Sequence, residues 1–247
     1  MRAAYIGAML KALLQATRPW PAVCQVCGQW PVQPVCDACV RRFAWSRWRC
    51  RTCAAPLEQD GDLCGHCLTS SIPSSLDRCL AAVDYAYPWD DLIARFKFRD
   101  EPGLAGMLAE RMLAAPGAQD LIAGSDWLVP VPLKPQRLMS RGYNQAWELV
   151  KALRARLPRA PAGLADALVR MGDASDQHSL PREQRLRNLR GAFAAAPQRL
   201  EALRGKRVLL VDDVSTTGTT LQSAALALRQ AGVAQVQGLV IARTPHH

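Results

Sequence analysis

No apolar run in this chain of 247 residues approaches the roughly 20 needed to span a bilayer, and mean hydropathy is −0.06, so no membrane span is expected. No secretory leader is expected either. Lys11 interrupts the apolar stretch of MRAAYIGAMLKALLQATRP, and no small-residue cleavage site follows. The expected location is therefore cytoplasmic, where cysteines stay reduced. Lysine is scarce, with five residues (11, 97, 134, 151 and 206) among 31 basic ones, which leaves 26 arginines. Against 21 acids the balance is +10. The planar arginine fork suits bidentate contact with phosphate, so polyanionic partners fit, although an arginine-rich surface by itself says little about function. With 49% apolar and 21% charged residues, wholesale disorder is excluded.

Cysteine is absent beyond Cys79, and eight of the nine cysteines fall between Cys24 and Cys67. The Ser/Pro stretch at 69–75 reads as a linker, so the expected domains are 1–75 and 76–247. In the second part helix periodicity recurs: Trp89, Leu92, Ile93 and Phe96; Ala146, Leu149, Val150 and Leu153; Leu221, Ala224, Ala225 and Leu228. Between these lie continuous apolar runs at 127–129, 208–211 and 238–241. Such runs, alternating with helices, indicate an α/β fold with a mainly parallel sheet flanked by helices. Residues 208–241 read as strand, loop, helix, Gly232 stop, strand, with a right-handed crossover. Residues 158–206, rich in Pro, Ala and Arg, are expected to form a mobile excursion over the sheet's ligand face.

Four Cys-x-x-Cys pairs occur, Cys24/Cys27, Cys36/Cys39, Cys50/Cys53 and Cys64/Cys67, separated by eight, ten and ten residues. Two residues between thiolates let both sulfurs face one ion, and two such turns complete a tetrahedral shell. The spacing points to two structural zinc ions in a small double ribbon with no open coordination position. A disulfide framework or redox pairs fit the reduced setting and the fourfold repetition less well. Sequential sharing needs only short hairpins, and interleaved sharing stays open. Gly28 and Gly65 suit the positive φ of such knuckles, and His66 reads as a bystander.

Residues 41–51 carry five arginines with Phe43, Trp45 and Trp48 between them. Charge interleaved with stacking surface suits sequence-tolerant single-strand binding. The plainer and preferred reading is that Trp30, Trp45 and Trp48 fill the thin core of a zinc module.

The stretch 208–220, VLLVDDVSTTGTT, is the most informative. A buried strand ends in Asp212 and Asp213, then a turn with Gly218 opens a helix. The backbone N–H groups there, with the hydroxyls of Thr216, Thr217, Thr219 and Thr220, can surround a phosphate. No Gly-Lys-Ser/Thr follows, so it is not a Walker loop. The adjacent acids could instead grip vicinal hydroxyls; phosphate beside a diol describes a ribose 5-phosphate. The alternative is a pair of exposed turn acids, a poor arrangement without a ligand because the two repel.

This stretch resembles the phosphoribosyl pyrophosphate (PRPP) signature of type I phosphoribosyltransferases, and the whole chain resembles the ComF family of competence-associated proteins, including its ComFC and GntX types. The ribbons, AAVDYAYPWDDLIARFKFRD (81–100), DWLVPVPLKPQRLMSRGYNQA (126–146) and QHSLPREQRLRNLRGAF (177–193) carry the resemblance further. It implies a type I phosphoribosyltransferase fold behind an N-terminal double zinc ribbon. It implies that Asp212 and Asp213 hold the ribose hydroxyls as the catalytic pair, and that Val214, Ser215, Thr216, Thr217, Gly218, Thr219 and Thr220 complete the PRPP site. Lys134, Arg137, Arg141 and Asn144 would face the pyrophosphate, with Lys97 near the pocket and Mg²⁺ on the diphosphate. Gly172 to Asp176 stand before Gln177 where the family carries a threonine and a proline-rich step, and Ser215 stands where many relatives have a larger residue. Those departures leave the PRPP site intact and the second substrate open.

The expected function is a PRPP-binding phosphoribosyltransferase-type protein linked to natural competence or the use of external DNA, with pentosyl transfer to a nucleobase, a nucleotide or DNA. Two rivals are a non-catalytic single-stranded-DNA-binding protein and a zinc-dependent adaptor, either retaining a PRPP-sensing site. A helicase-like competence partner belongs to the same resemblance. Arg182, Arg185, Arg187 and Arg190 read equally as a solvated helix face or a strip for a polyanion.

Overall fold

Val208, Leu209, Leu210 and Val211 are all buried, as a strand covered on both faces requires. The computed structural model, which describes residues 22–30, 33–171 and 192–245, builds the fold around them. Along the chain come α1 (Asp37–Phe43), α2 (Gly65–Thr69), β1 (Arg78–Asp84), α3 (Trp89–Phe98), α4 (Ala105–Leu113) and α5 (Ala118–Ala123). Then follow β2 (Trp127–Pro130), α6 (Pro135–Arg141), α7 (Gln145–Arg156), β3 (Leu168–Arg170) and β4 (Phe193–Ala195). The last elements are α8 (Leu200–Leu203), β5 (Arg207–Ser215), α9 (Thr219–Gln230) and β6 (Gln235–Arg243).

Four strands form one parallel sheet in the order β1-β6-β5-β2. In its register Val211 lies beside Pro130 on one side and Leu239 on the other. Helices α4 and α7 cover one face, while α9 with the antiparallel pair β3/β4 covers the other. The three expected helices are present, and every one of their twelve periodic apolar residues is buried. Helix α7 starts cleanly because the Asn144 side chain accepts a hydrogen bond from the Ala146 N–H at 2.9 Å. Because the strands are parallel, the loops after β1, β2 and β5 leave the same edge, where ligands of open α/β sheets bind. No helix among the described residues is long and apolar enough to cross a membrane.

The segment 158–206 differs from the expected excursion. Residues 172–191, including the four spaced arginines and most of the QHSLPREQ stretch, lie outside the described residues. The flanks are not an excursion at all. Leu164, Ala167, Leu168, Phe193, Ala196 and Leu203 are buried in the main core. Strands β3 and β4 have three residues each, too short for a period-two pattern to show.

The chain divides into two compact units between Phe43 and Ala44, whereas the composition change fell near residue 75. The second ribbon therefore belongs with the sheet. Ala54 is fully buried in the same core as Leu76, Cys79 and Ala81. The Cys79 N–H donates to Arg51 O at 2.8 Å, and Arg49 pairs with Asp84 at 2.8 Å.

Close packing at one backbone contact yields a stability test. Gly163 bridges to Leu128 at the end of the sheet, and a β-carbon there would lie 2.8 Å from Trp147 Cζ3 and 2.9 Å from Val150 Cγ1. Gly163→Ala is expected to cost about 1–3 kcal/mol. The urea midpoint should fall with an unchanged slope; an unchanged midpoint would mean that these side chains yield freely.

Candidate functional site

The eight ribbon cysteines gather sequentially, Cys24, Cys27, Cys36 and Cys39 in one group and Cys50, Cys53, Cys64 and Cys67 in the other, each with all sulfurs within 4.8 Å. The short separations are 3.8 Å for Cys24–Cys39, 3.7 Å for Cys27–Cys36 and 3.6 Å for Cys53–Cys64. Zn–S bonds of about 2.3 Å place the corners of a tetrahedron about 3.8 Å apart, so both groups are compatible with structural zinc. His66 belongs to neither group.

The knuckles close alike. Gly28 N–H donates to Cys24 O at 2.9 Å with φ +74°, as its sequence position suggested. In the second knuckle Ala54 N–H donates to Cys50 O at 2.8 Å, and Ala54 itself takes φ +58°. Gly65 instead begins α2, so the expected role for that glycine is corrected. A left-handed alanine costs about 1–2 kcal/mol, and the burial of its methyl in the sheet's core opposes that cost.

At the carboxyl end of β5, Asp213 is 4% exposed and Asp212 is half-buried. Asp213 Oδ1 accepts from Val214 N at 2.6 Å and lies 2.9 Å from Lys97 Nζ, while its Oδ2 is buried without a hydrogen-bond partner. Burial, and then the Asp213 charge, raise the Asp212 carboxyl well above the usual carboxylate range, against the opposing pull of Lys97 and Arg170. These are not exposed turn acids. The next residues turn through Gly218, at φ +82°, into α9. Thr217 and Thr219 hydroxyls meet at 2.6 Å, and Gln222 N–H is the first to reach back into the helix, to Gly218 O at 3.0 Å. The backbone N–H groups of Thr220 and Leu221 precede that bond, in the first turn where a helix supplies no carbonyl of its own. A narrow pocket of 20 Å³, lined by Asp212, Val214, Ser215, Thr216, Gly218, Thr219, Thr220 and Leu221, lies at this turn. On the loop's other flank a cavity of 370 Å³ separates it from the second ribbon, with Cys53, His66, Cys67, Ile72, Ser215, Thr217 and Gln222 among its lining.

The other expected residues converge on the same edge by two routes. Val131 N–H donates to Val211 O at 3.0 Å, so the segment carrying Lys134 leaves the sheet beside Asp212. Helix α6 follows, with Arg137 exposed and Arg141 partly buried. The Arg141 guanidinium lies 5.0 Å from the Phe98 ring centroid, and its Nη1 is buried with no hydrogen-bond partner. Tyr143 Oη donates to Phe96 O, tying this loop to the helix that carries Lys97. Asn144 is occupied structurally, since it caps α7 and its Nδ2 donates to Val131 O at 3.1 Å.

Two cations were not anticipated. Arg170, in β3, acts on Asp212 from the segment expected to be an excursion. Arg243, at the end of an apolar strand, is fully buried. A charged residue closing an apolar run was the available signal for it. The expectation for the tryptophans is also overturned: Trp30, Trp45 and Trp48 are 60%, 65% and 57% exposed and fill no core. The knuckle hydrogen bonds and, for the second ribbon, the core shared with the sheet take over the work those rings were expected to do.

Residues 145–247 match the family model described as the phosphoribosyl transferase domain. With the parallel sheet and the acid pair closing β5, this makes the sheet and its flanking helices a type I phosphoribosyltransferase fold, which two Cys₄ groups precede along the chain. The chain is 31% identical to the DNA utilization protein YhgH of Escherichia coli (strain K12), across 91% of this chain and 98% of that protein. It is 32% identical to Competence protein F of Haemophilus influenzae, across 85% and 90% respectively. A solved glutamine PRPP amidotransferase from B. subtilis aligns over 57% of this chain and 26% of its own, at 20% identity and a TM-score of 0.35, too slight a likeness to argue from. The chain belongs to the ComF family.

The raised Asp212 carboxyl sets a pH dependence. The folded state holds that proton more tightly than the unfolded chain, so stability falls as pH rises from the unfolded value toward the raised one. Asp212→Asn removes the penalty and is expected to be more stable than the parent near pH 8 by about 1–2 kcal/mol. The advantage should shrink toward about pH 4. Unfolding curves across that range check this, and a pH-independent difference would contradict the shift.

Proposed function

We propose that this protein binds PRPP at the carboxyl end of β5 and transfers its phosphoribosyl group. The observation that carries the reading is the acid pair, with Asp213 Oδ2 buried and unpartnered beside an Asp212 carboxyl whose ionisation is opposed. Buried acceptors of this kind call for hydroxyl donors, and a ribose diol supplies two. Ser215 to Thr220, with the open N–H groups of α9, would receive the 5-phosphate. Lys134, Arg137 and the unpartnered Nη1 of Arg141 would meet the diphosphate, with Lys97 bridging toward the acids. Asn144 would act by holding the loop backbone.

The acceptor's lone pair forms a bond to the anomeric carbon while the carbon–oxygen bond to the diphosphate breaks, and diphosphate departs with that electron pair. Cations at the loop stabilise the charge as it develops. Mg²⁺, a hard cation, would sit on diphosphate oxygens, and zinc would fill both Cys₄ shells without taking part in chemistry. The names of the relatives, a DNA utilization protein and a competence protein, support a setting in DNA uptake or use inside the cell.

Calorimetric titration with PRPP and Mg²⁺ tests the site. Zinc-loaded protein should bind with a proton released from Asp212, seen as heat that varies with the buffer, and Asp212→Asn/Asp213→Asn should abolish binding. A folded parent giving no heat would overturn the reading.

A second reading has its own support. Trp45 and Trp48 expose their rings beside Arg47, itself half-exposed, as stacking platforms for single strands need. Trp45→Ala/Trp48→Ala is expected to weaken oligonucleotide binding by about tenfold or more. The affinity should also fall steeply with salt. Equal affinity in the double variant would remove these rings from any DNA contact.

A further inference from the structure

Arg243 joins the second ribbon to the phosphate loop through their backbone carbonyls. Its Nε donates to Cys53 O at 2.9 Å. Its Nη1 donates to Ser215 O at 3.3 Å, to Thr216 O, and to Thr244 O at 2.7 Å. Thr244 N–H in turn donates to Ser215 O at 3.0 Å. One rigid, planar group therefore fixes the carbonyl of a knuckle cysteine and the first two carbonyls of the loop that opens α9. Elsewhere the 370 Å³ cavity stands between the ribbon's Cys53 and Cys67 and the loop's Thr217 and Thr219. The hydrogen-bonded route runs through the guanidinium.

We infer that Arg243 is a positioning residue that couples metal occupancy of the Cys50, Cys53, Cys64 and Cys67 group to the shape of the phosphate loop. A Cys₄ module owes much of its local order to its ion. With the ion bound, Cys53 O is a fixed acceptor, and the planar fork transmits that position to Ser215 and Thr216 because its donors cannot move independently. Without the ion the knuckle loosens, the fork loses one anchor, and the loop samples more conformations. Linkage makes the effect reciprocal: a ligand that holds the loop must tighten metal binding by the factor by which metal improves ligand binding. The consequence for PRPP rests on the reading above, whereas the wiring between knuckle and loop does not.

The experiment uses the full chain. Amide exchange at residues 215–220 is followed with zinc bound and after chelation, in the parent, in Arg243→Lys, and in a Cys24→Ser/Cys27→Ser variant that unloads the first group alone. The parent's loop should exchange about tenfold faster after chelation, while the end of β2 changes little. The cysteine variant should keep its loop protected until the second group is stripped. In Arg243→Lys, whose ammonium cannot span the same carbonyls, the loop should be loose already and respond little to chelation. A parent loop indifferent to metal, or a lysine variant responding as the parent does, would overturn the inference. If Arg243→Lys fails to fold, Arg243→Gln takes its place, and the contrast between the parent and the cysteine variant still decides whether the loop follows the second group's metal.

Zinc affinity, read by equilibrium competition with a chromogenic chelator with and without PRPP and Mg²⁺, supplies the second readout. About tenfold tighter zinc binding is expected in the parent, and no change in Arg243→Lys. Protein that binds PRPP with zinc affinity unchanged contradicts the coupling. Protein that gives no PRPP heat contradicts the proposed function, and loop exchange then judges Arg243 separately.

Discussion

Strand β5 can be buried only with a hydrogen-bonding neighbour on each side and a packed layer on each face. The rest of the structure meets that requirement. Strands β6 and β2 supply the neighbours, β6 in register from Arg207 to Ser215 and β2 from Val208 to Val211. Helices α4 and α7 supply one layer, and α9 with β3/β4 the other. A strand so enclosed has no freedom at its end, and its end is Asp212, Asp213 and the turn into α9. Rigidity imposed by burial is what allows two acids to be kept side by side, the ionisation of one opposed by the other, without the backbone relaxing them apart.

Much of this was legible in residues alone, for identifiable reasons. The helices could be read because each puts one apolar stripe against the sheet, and β5 and β6 because long apolar runs are what enclosure on two faces demands. The Cys₄ groups could be read because ligand spacing is nearly the whole of their geometry. Strands β3 and β4 could not, because three residues carry no period. Ala54 could not, because its left-handed conformation is enforced by packing and not by its own preference. The tryptophans misled because aromatic residues near a small module suggest core filling, whereas the second ribbon borrows the sheet's core through Ala54. Arg243 was hidden for a related reason: its acceptors are backbone carbonyls from three separate stretches, which no sequence pattern announces.

Arginine does several different jobs in one molecule. Arg49 and Arg207 make ion pairs with Asp84 and Asp126, Arg243 braces carbonyls in the interior, and Arg141 keeps a buried N–H without a partner. Only the last has the character of a group waiting for a ligand. A tally of +10 cannot separate these cases. Screening reduces the long-range part of that charge beyond about 8–10 Å, so selectivity has to come from local arrangement.

The local arrangement is a cationic edge that contains two acids, and this contradiction in sign is informative. A surface designed only to attract phosphate would not place Asp212 and Asp213 beside the loop that receives it. Bare phosphate or diphosphate approaching the turn meets favourable N–H groups and, a few atoms away, carboxylates that repel it. A ligand that carries hydroxyl donors next to its phosphate reverses the second term, since each carboxylate oxygen gains a donor and the unpartnered Oδ2 of Asp213 is satisfied. On the proposed reading the acids would act as a filter, penalising simple polyanions, nucleic acid backbone included, and favouring a phosphorylated sugar. Any contact with single strands would accordingly be made on the exposed rings of Trp45 and Trp48, and not on the acid pair.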